Sequence, residues 1–494
     1  MIDDLDERAA LTTRQMRLTA VIVASALFMQ NLDSTIVATA LPAMARSFHA
    51  DPLHMSLALT SYLLALAVFI PASGWVADRF GSRTVFRLAI LVFTLGSILC
   101  GLSHSLAELI TARILQGIGG SMMVPVGRLL LMKSVRRRDM LAATSWLTMP
   151  ALIGPIIGPP LGGFIVTYVS WRWTFDINVP IGVIGIIAVS LFIRDVKDTG
   201  QAGRLDIVGL VLSGLAMALI MAGVETIGRG IIPLPWSLGC FAIGGSSALA
   251  YWRHARRHEH PVLDLSLMKI DTFANSTIAG SFFRVLAGAM PFLLPLMLQL
   301  GFGESAAKSG TITFAAAIGA LAMKPLAQPT LRRFGFRLSM IGFGLLSVLF
   351  TAACAAFRPS WPVVALDAVL LVGGVFRSLQ FTAFNTLAYA DVPRNRMSAA
   401  TSFYATFQQI TITLGISIAA GSLELATAIT GHAIPTDADY SWAFIIVSAI
   451  GLISVPISAR LGTEAGEDVS GHHADAPHSG DATPAIDAPS APRQ

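Results

Sequence analysis

Apolar runs of about 20 residues recur along almost the whole chain, separated by short breaks that carry charge, glycine or proline. That is the length a helix needs to cross the hydrocarbon core of a bilayer. Only 13% of the 494 residues are charged, about half of what an ordinary soluble domain carries. The feature and the composition agree on an all-α polytopic membrane protein and exclude a soluble globule.

The breaks predict fourteen transmembrane helices. Six lie near 17–41, 54–77, 85–102, 107–131, 140–168 and 177–193. Two follow near 205–224 and 236–252, and six more near 273–300, 308–327, 337–357, 361–387, 397–424 and 440–459. The predicted organisation is a short N-terminus (1–16), a first six-helix bundle (17–193), two linker helices (194–272), a second six-helix bundle (273–460) and a disordered tail (461–494). In the tail Gly, Ala, Pro, Ser, Asp and His replace apolar periodicity, so His472, His473 and His478 read as solvated side chains. An even number of spans puts both ends on one side. Lys and Arg number 23 in the N-terminus and even loops against 5 in the odd loops, which places both termini in the cytoplasm.

The net charge of +5 resides in these loops, so it signals topology rather than nucleic-acid binding. Cys100, Cys240 and Cys354 fall in three separate apolar segments, without the spacing of a disulfide framework or a zinc site. The acidic, polar first residues and the length of the first apolar run read as a retained helix rather than a cleaved signal. No H-E-x-x-H and no P-loop is present, which argues against a metalloenzyme or an ATP-driven machine; Gly117-Ile118-Gly119 has no preceding strand and sits in a membrane segment.

The loop after the second helix contains Arg79-Phe80-Gly81-Ser82-Arg83. The loop at the same place in the later six contains Arg333-Phe334-Gly335-Phe336-Arg337. The repeat Arg-Phe-Gly-x-Arg predicts two bundles related by an axis along the membrane normal, with a substrate path between them.

With these residues in view the chain resembles the major facilitator superfamily, and within it the bacterial members of the fourteen-helix drug:proton antiporter family. The match rests on Leu32-Asp33-Ser34-Thr35 running to Leu41-Pro42 and on the Gly74 to Arg83 loop. It rests equally on Arg113-Ile114-Leu115-Gln116-Gly117, on Gly154-Pro155-Ile156-Ile157-Gly158-Pro159-Pro160-Leu161-Gly162-Gly163, and on Trp171-Arg172-Trp173 and Asn178-Val179-Pro180. Together they cover roughly residues 20–460. The resemblance implies an antiporter driven by the proton gradient without a cofactor. Its partners would be small molecules, protons and membrane lipid, it would act as a monomer, and it would sit in the inner membrane; whether a periplasmic adaptor attaches stays open. Two positions depart from the pattern: the second-half loop lacks an acid matching Asp78, and Asp176 replaces an apolar residue.

A carboxylate within an apolar helix must hold a proton or find a partner. Asp33 lies ~12 Å below the periplasmic end of its helix and Arg113 ~9 Å below the start of its own, at 1.5 Å per residue, so the two depths are similar. Asp33 is therefore expected to alternate between a proton and a cationic or polar drug, with Arg113 tuning it; the resemblance implies the same two positions, and a static salt bridge or hydrogen-bonded pair is the competing reading. Gly74, Asp78, Arg79, Gly81 and Arg83 form the expected conformational switch. Asp78 is expected to touch the helix start near Ser398 when the cytoplasmic side is closed. Gly154, Pro155, Gly158, Pro159, Gly162 and Gly163 permit close helix approach, and the resemblance makes this an antiporter motif that favours export; plain packing glycines would look similar.

In the second half Arg284 falls near the midplane, ~16 Å into its helix. Arg377 and Lys324 lie toward the cytoplasm, where snorkelling would account for them, and Asp367 is a further intramembrane charge. Gln30, Asn31, Gln299, Asn385 and Gln408 could supply polar contacts, with Arg284 and Arg377, to a substrate. The expected function is export of drugs or other amphiphilic compounds. The alternative is a dedicated exporter of an organic anion or metal chelate, which Arg284, Lys324 and Arg377 would suit.

Overall fold

The computed structural model describes residues 13–134, 140–193, 206–227, 233–258, 261–393, 396–431 and 435–470, and every regular element among them is helical. The first bundle holds α1 (Thr13–Phe48), α2 (Ser56–Phe80), α3 (Ser82–Leu102), α4 (Leu106–Ser134), α5 (Met140–Tyr168) and α6 (Trp173–Phe192). The linker pair is α7 (Ile207–Thr226) and α8 (Leu234–Ala255). The second bundle begins with α9 (Asp271–Gly301) and ends with α12 (Val363–Leu387), α13 (Met397–Thr430) and α14 (Asp437–Ser458). Between α9 and α12 the segment Ala306–Ala353 bends at Gly335 (φ 68°) into two rods, α10 (306–334) and α11 (336–353).

Eleven segments are long and apolar enough to cross a membrane among the described residues, the bent one counted once. Dividing it, and counting α5 and α8, which are not among those eleven, gives fourteen rods among the described residues, consistent with the number expected from sequence. Mid-helix prolines displaced one predicted boundary. The apolar run suggests an end at Leu41, but α1 passes through Pro42 to Phe48. Membrane helices tolerate such prolines because neighbouring helices satisfy the freed carbonyls.

Helix ends carry their own signals. Asp206 caps α7 by accepting the Gly209 N–H at 2.7 Å, and Ser305 caps α10 by accepting from Lys308. Thr436 and Asp439 form a capping box at α14, while Gly431, at φ 71°, ends α13. The two repeated loops turn alike: Gly81 has φ 87° and Gly335 has φ 68°, backbone that only glycine adopts without strain. The repeat seen in sequence is therefore a repeat in backbone geometry. The ordered chain also continues past the predicted tail boundary at 461: Leu461 is buried among the second bundle's side chains and Gly466 lies against Phe336. Residues 471–494 lie outside the described residues.

α1 begins and α14 ends on one face, the near side; the opposite face is the far side. Cores on the two sides differ. A single far-side core joins Ile36, Leu41, Met44 and Leu59 of the first bundle to Leu286, Phe292, Leu293 and Phe444 of the second. On the near side the bundles have separate cores, one around Phe86, Phe93 and Met123, the other around Phe283, Phe336 and Phe384. Packing, not water exclusion, holds helices together in lipid, so continuous packing marks where the bundles are closed on each other. The far side is closed.

Candidate functional site

The centre of the first bundle holds a polar cluster that no water reaches. Asp33 on α1, Ser97 on α3, Arg113 and Gln116 on α4 and Asn178 on α6 are all 0% exposed. Glycines make the approach possible. A Cβ on Gly96 would lie 2.7 Å from the Gln116 backbone, and one on Gly117 would lie 2.7 Å from the Tyr62 carbonyl oxygen. α4 thus presses against both α2 and α3, and Arg113 and Gln116 arrive at Asp33.

Arg113 Nη1 donates to Asp33 Oδ2 at 2.6 Å and to Gln116 Oε1 at 2.6 Å. Gln116 Nε2 and Asn178 Nδ2 each donate to Asp33 Oδ1 at 2.9 Å, and both also reach Ser97 Oγ. Arg113 Nε donates to the Ala58 carbonyl at 2.9 Å, and the guanidinium lies 4.2 Å from the centre of the Tyr62 ring. Both oxygens of the carboxylate are therefore answered, one by a cation and one by two amides. This arrangement fits the ionised acid; adding a proton to Asp33 would remove the charge that Arg113 answers.

The far-side seal is built from small residues. Gly154, Gly158 and Gly162, spaced one turn apart, place α5 on α1: Cβ atoms there would meet Leu32, Thr35 and Thr39 at 3.0, 2.1 and 2.5 Å. The next residue, Gly163, faces the second bundle, and a Cβ would come 2.3 Å from the Ala306 carbonyl oxygen. Gly310 answers from α10, 2.3 Å on the same measure from the Pro159 carbonyl oxygen. Two hydrogen bonds cross with it, Ala307 N–H to Thr167 Oγ1 at 2.9 Å and Gln299 Nε2 to the Thr39 carbonyl at 3.1 Å.

In the second bundle Arg284 of α9 is 1% exposed. It donates to the Tyr404 hydroxyl on α13 and, at 3.4 Å, to Asn385 Oδ1 on α12, and its guanidinium lies 4.5 Å from the Tyr404 ring centre. Nε and Nη1 have no hydrogen-bond partner, and no carboxylate pairs with Arg284 among the described residues. Tyr389, just past α12, is pushed up to about 12 by burial and by Tyr404, while the positive charges of Arg128 and Arg284 pull it back. Arg128 belongs to α4 and is exposed. One tyrosine thus feels a cation from each bundle.

The Major Facilitator Superfamily model matches residues 23–416. The chain belongs to the Major Facilitator Superfamily. It is 42% identical over 399 residues to the "Putative multidrug resistance protein MdtD" of Pectobacterium atrosepticum, covering 81% of this chain and 85% of that one. It is 41% identical to the protein of the same name in Escherichia coli (strain K12), covering 81% and 84%. Among solved structures it is similar to an auto-inhibited POT family peptide transporter, with TM-score 0.65, 15% identity and coverage of 91% and 97%. It is also similar to the human organic anion transporter MFSD10 (TETRAN), with TM-score 0.60, 13% identity and coverage of 90% and 99%. These two likenesses are of fold.

For this superfamily member the structure brings together Asp33 with Arg113, and Arg284 with Asn385, out of the residues that sequence singles out. Gln30 is buried one turn from Asp33, with an unpartnered Oε1, and Asn31 is partly buried beside it. Gln299 stands apart, in the far-side seal. Arg377 is partly buried about two turns from Asn385 along α12, and Lys324 reaches Thr382 at 3.4 Å. Arg83 donates to the Ser190 carbonyl and so ties the α2–α3 turn to α6. Asp78 and Arg79 are exposed, and nothing lies within 4 Å of a Cβ on Gly74. The side chains of Pro155 and Ser398 lie outside the described residues. Sequence reasoning missed Gln116, Asn178, Ser97 and Tyr62. The first two stand inside motifs already quoted; the other two have no sequence signature.

Proposed function

We propose that the chain is a proton-coupled antiporter that exports drugs or other amphiphilic compounds across the bacterial cytoplasmic membrane, by alternating access, with both termini in the cytoplasm. The observation that carries this reading is the buried Asp33–Arg113 pair, at 2.6 Å, in a molecule closed on its far side. With the near side as the cytoplasmic one, this is the state that receives cargo from the cell, and an exporter reaching it has released its proton. An ionised Asp33 held by Arg113, Gln116 and Asn178 is what that stage requires.

The other half of the cycle follows from the same groups. When the far side opens, water and a proton reach Asp33. Arg113 then loses its counter-ion and keeps Ala58, Gln116 and the Tyr62 ring, while the cargo leaves. Asp78 meets the start of α13 as the near side closes, because a carboxylate is favoured at a helix N-terminus. The relatives named for multidrug resistance support the export direction.

The test is substrate-induced proton movement in vesicles of known orientation, with wild type and Asp33→Asn compared at equal expression and with matched elution profiles. Proton release on adding lipophilic compounds, abolished in Asp33→Asn, is the expected result. Proton release of normal size in the variant would overturn the assignment of Asp33.

A further inference from the structure

A guanidinium inside a membrane protein is expected to be answered by a carboxylate, since an uncompensated buried charge is costly. Arg113 obeys this rule and Arg284 does not. Arg284 is as deeply buried, yet its hydrogen-bond partners are a hydroxyl and a carboxamide, and two of its nitrogens have none. Two aromatic rings flank it: that of Phe381, with its centre 6.0 Å from the guanidinium carbon, and that of the same Tyr404 at 4.5 Å. Room has been made for the charge as well. A Cβ on Gly280, one turn earlier on α9, would lie 2.9 Å from Nη1.

Residues around the guanidinium are themselves partly exposed. Asn385, which covers the guanidinium, is partly exposed, and its bond to Nη2 is long at 3.4 Å. Phe381 and Tyr389 beside it are partly exposed too, and Arg128 contributes a second positive charge from the first bundle. A charged oxygen would make a stronger acceptor than the amide it displaced, and a planar oxyanion would engage two guanidinium nitrogens at once.

We propose that Arg284, covered by Asn385 and backed by Tyr404, anchors the anionic headgroup of the cargo, a carboxylate or sulfonate, while the aromatic body of that cargo lies against Phe381 and Tyr389. This names the substrate class for the exporter proposed above and rests on that reading: amphiphilic aromatic acids. Asn385 acts as the stand-in acceptor when no cargo is bound. The missing counter-ion is thereby part of the cargo, and Arg284 is answered by a charge only when the site is loaded.

The experiment measures equilibrium binding of 2-naphthoate and of its uncharged methyl ester to the purified full chain in detergent. Wild type is compared with Arg284→Gln, Arg284→Lys and Asn385→Asp. Wild type should prefer the acid by roughly ten-fold or more, the worth of a charge-assisted hydrogen bond. Arg284→Gln should erase the preference and Arg284→Lys keep part of it. Asn385→Asp supplies the absent carboxylate within the protein, so it should fold at least as well as wild type and lose acid binding while keeping the ester. A wild type that binds the acid no better than the ester, or an acid preference that survives in both Arg284→Gln and Asn385→Asp, overturns the proposal. Because this is a binding measurement, it can fail while Asp33-dependent proton release stands, and it can succeed where proton release is absent.

Discussion

Arg113 and Arg284 are both sealed from water, one in each bundle, and they are held in opposite ways. Arg113 has its counter-ion 2.6 Å away on α1, and two amides complete the shell of that carboxylate. Arg284 has only neutral partners. The first arrangement answers its cation from within the bundle, and under the proposed antiport that gives Asp33 two states: ionised and locked, or protonated and released. The second is incomplete, so it waits for a group from outside. Under the function proposed above, the contrast divides the work: proton handling in the first bundle, cargo recognition in the second.

Stability should break this symmetry most visibly. Arg113→Gln abandons a buried carboxylate and is expected to cost about 3–5 kcal/mol, while Asp33→Asn combined with Arg113→Gln removes both charges and recovers most of that loss. Arg284→Gln abandons no partner charge and should be neutral or stabilising. Thermal unfolding midpoints in detergent check the ordering. Equal losses for the two single variants would show that Arg284 is answered in the folded state after all.

The next effect should be the same in both bundles, and so marks where the contrast ends. Gly81→Ala and Gly335→Ala force a side chain into backbone at φ 87° and φ 68°, each at a cost of about 1–3 kcal/mol. Comparable drops in unfolding midpoint are expected for the two. A large effect at Gly81 alone would mean that the loops are repeats in sequence without equal structural weight.

The smallest effect lies in the linker, outside either bundle. Burial would raise the Asp206 carboxyl, but the Gly209 N–H, His254 and the Val262 N–H together hold it below the ordinary carboxylate range. Its folded value is depressed, so its contribution is complete above the unfolded value of about 3.9 and is lost as pH falls through the lower folded one. Unfolding midpoints should therefore decline on acidification below about pH 4. In Asp206→Asn the decline should be shallower, with a lower midpoint at neutral pH.

Much of this molecule was legible beforehand because membrane helices announce themselves by length. The all-helical fold with its succession of apolar rods and the Arg-Phe-Gly-x-Arg repeat follow from local sequence. Asp33 and Arg113 stand out for the same reason, as charges in apolar runs. Ser97 and Tyr62 do not: a single serine or tyrosine in such a run is ordinary, and many here only bond their own helix, as Ser34 does with Asn31 and Ser121 with Ile118. Their role depends on partners from other helices, as Asn178 is brought to Asp33 from 145 residues away. Arg284 was visible as a midplane charge, but the lack of a countercharge is a property of the packed molecule. Gln299 reads from sequence as a cavity residue and lies instead in the seal, because the distorted last turn of α9 carries it to α1.

The linker helices are more than a tether. α7 packs on both α2 and α13, with Gly214 against Val68 and with Ser417 of α13 donating to Glu225. Its opposite face, with Val208 and Val211 exposed at 56% and 58%, is turned toward lipid. Of the two seams where the bundles meet, the one between α2 and α13 thus carries an extra helix laid along it, so the added pair makes the two flanks of the molecule unlike.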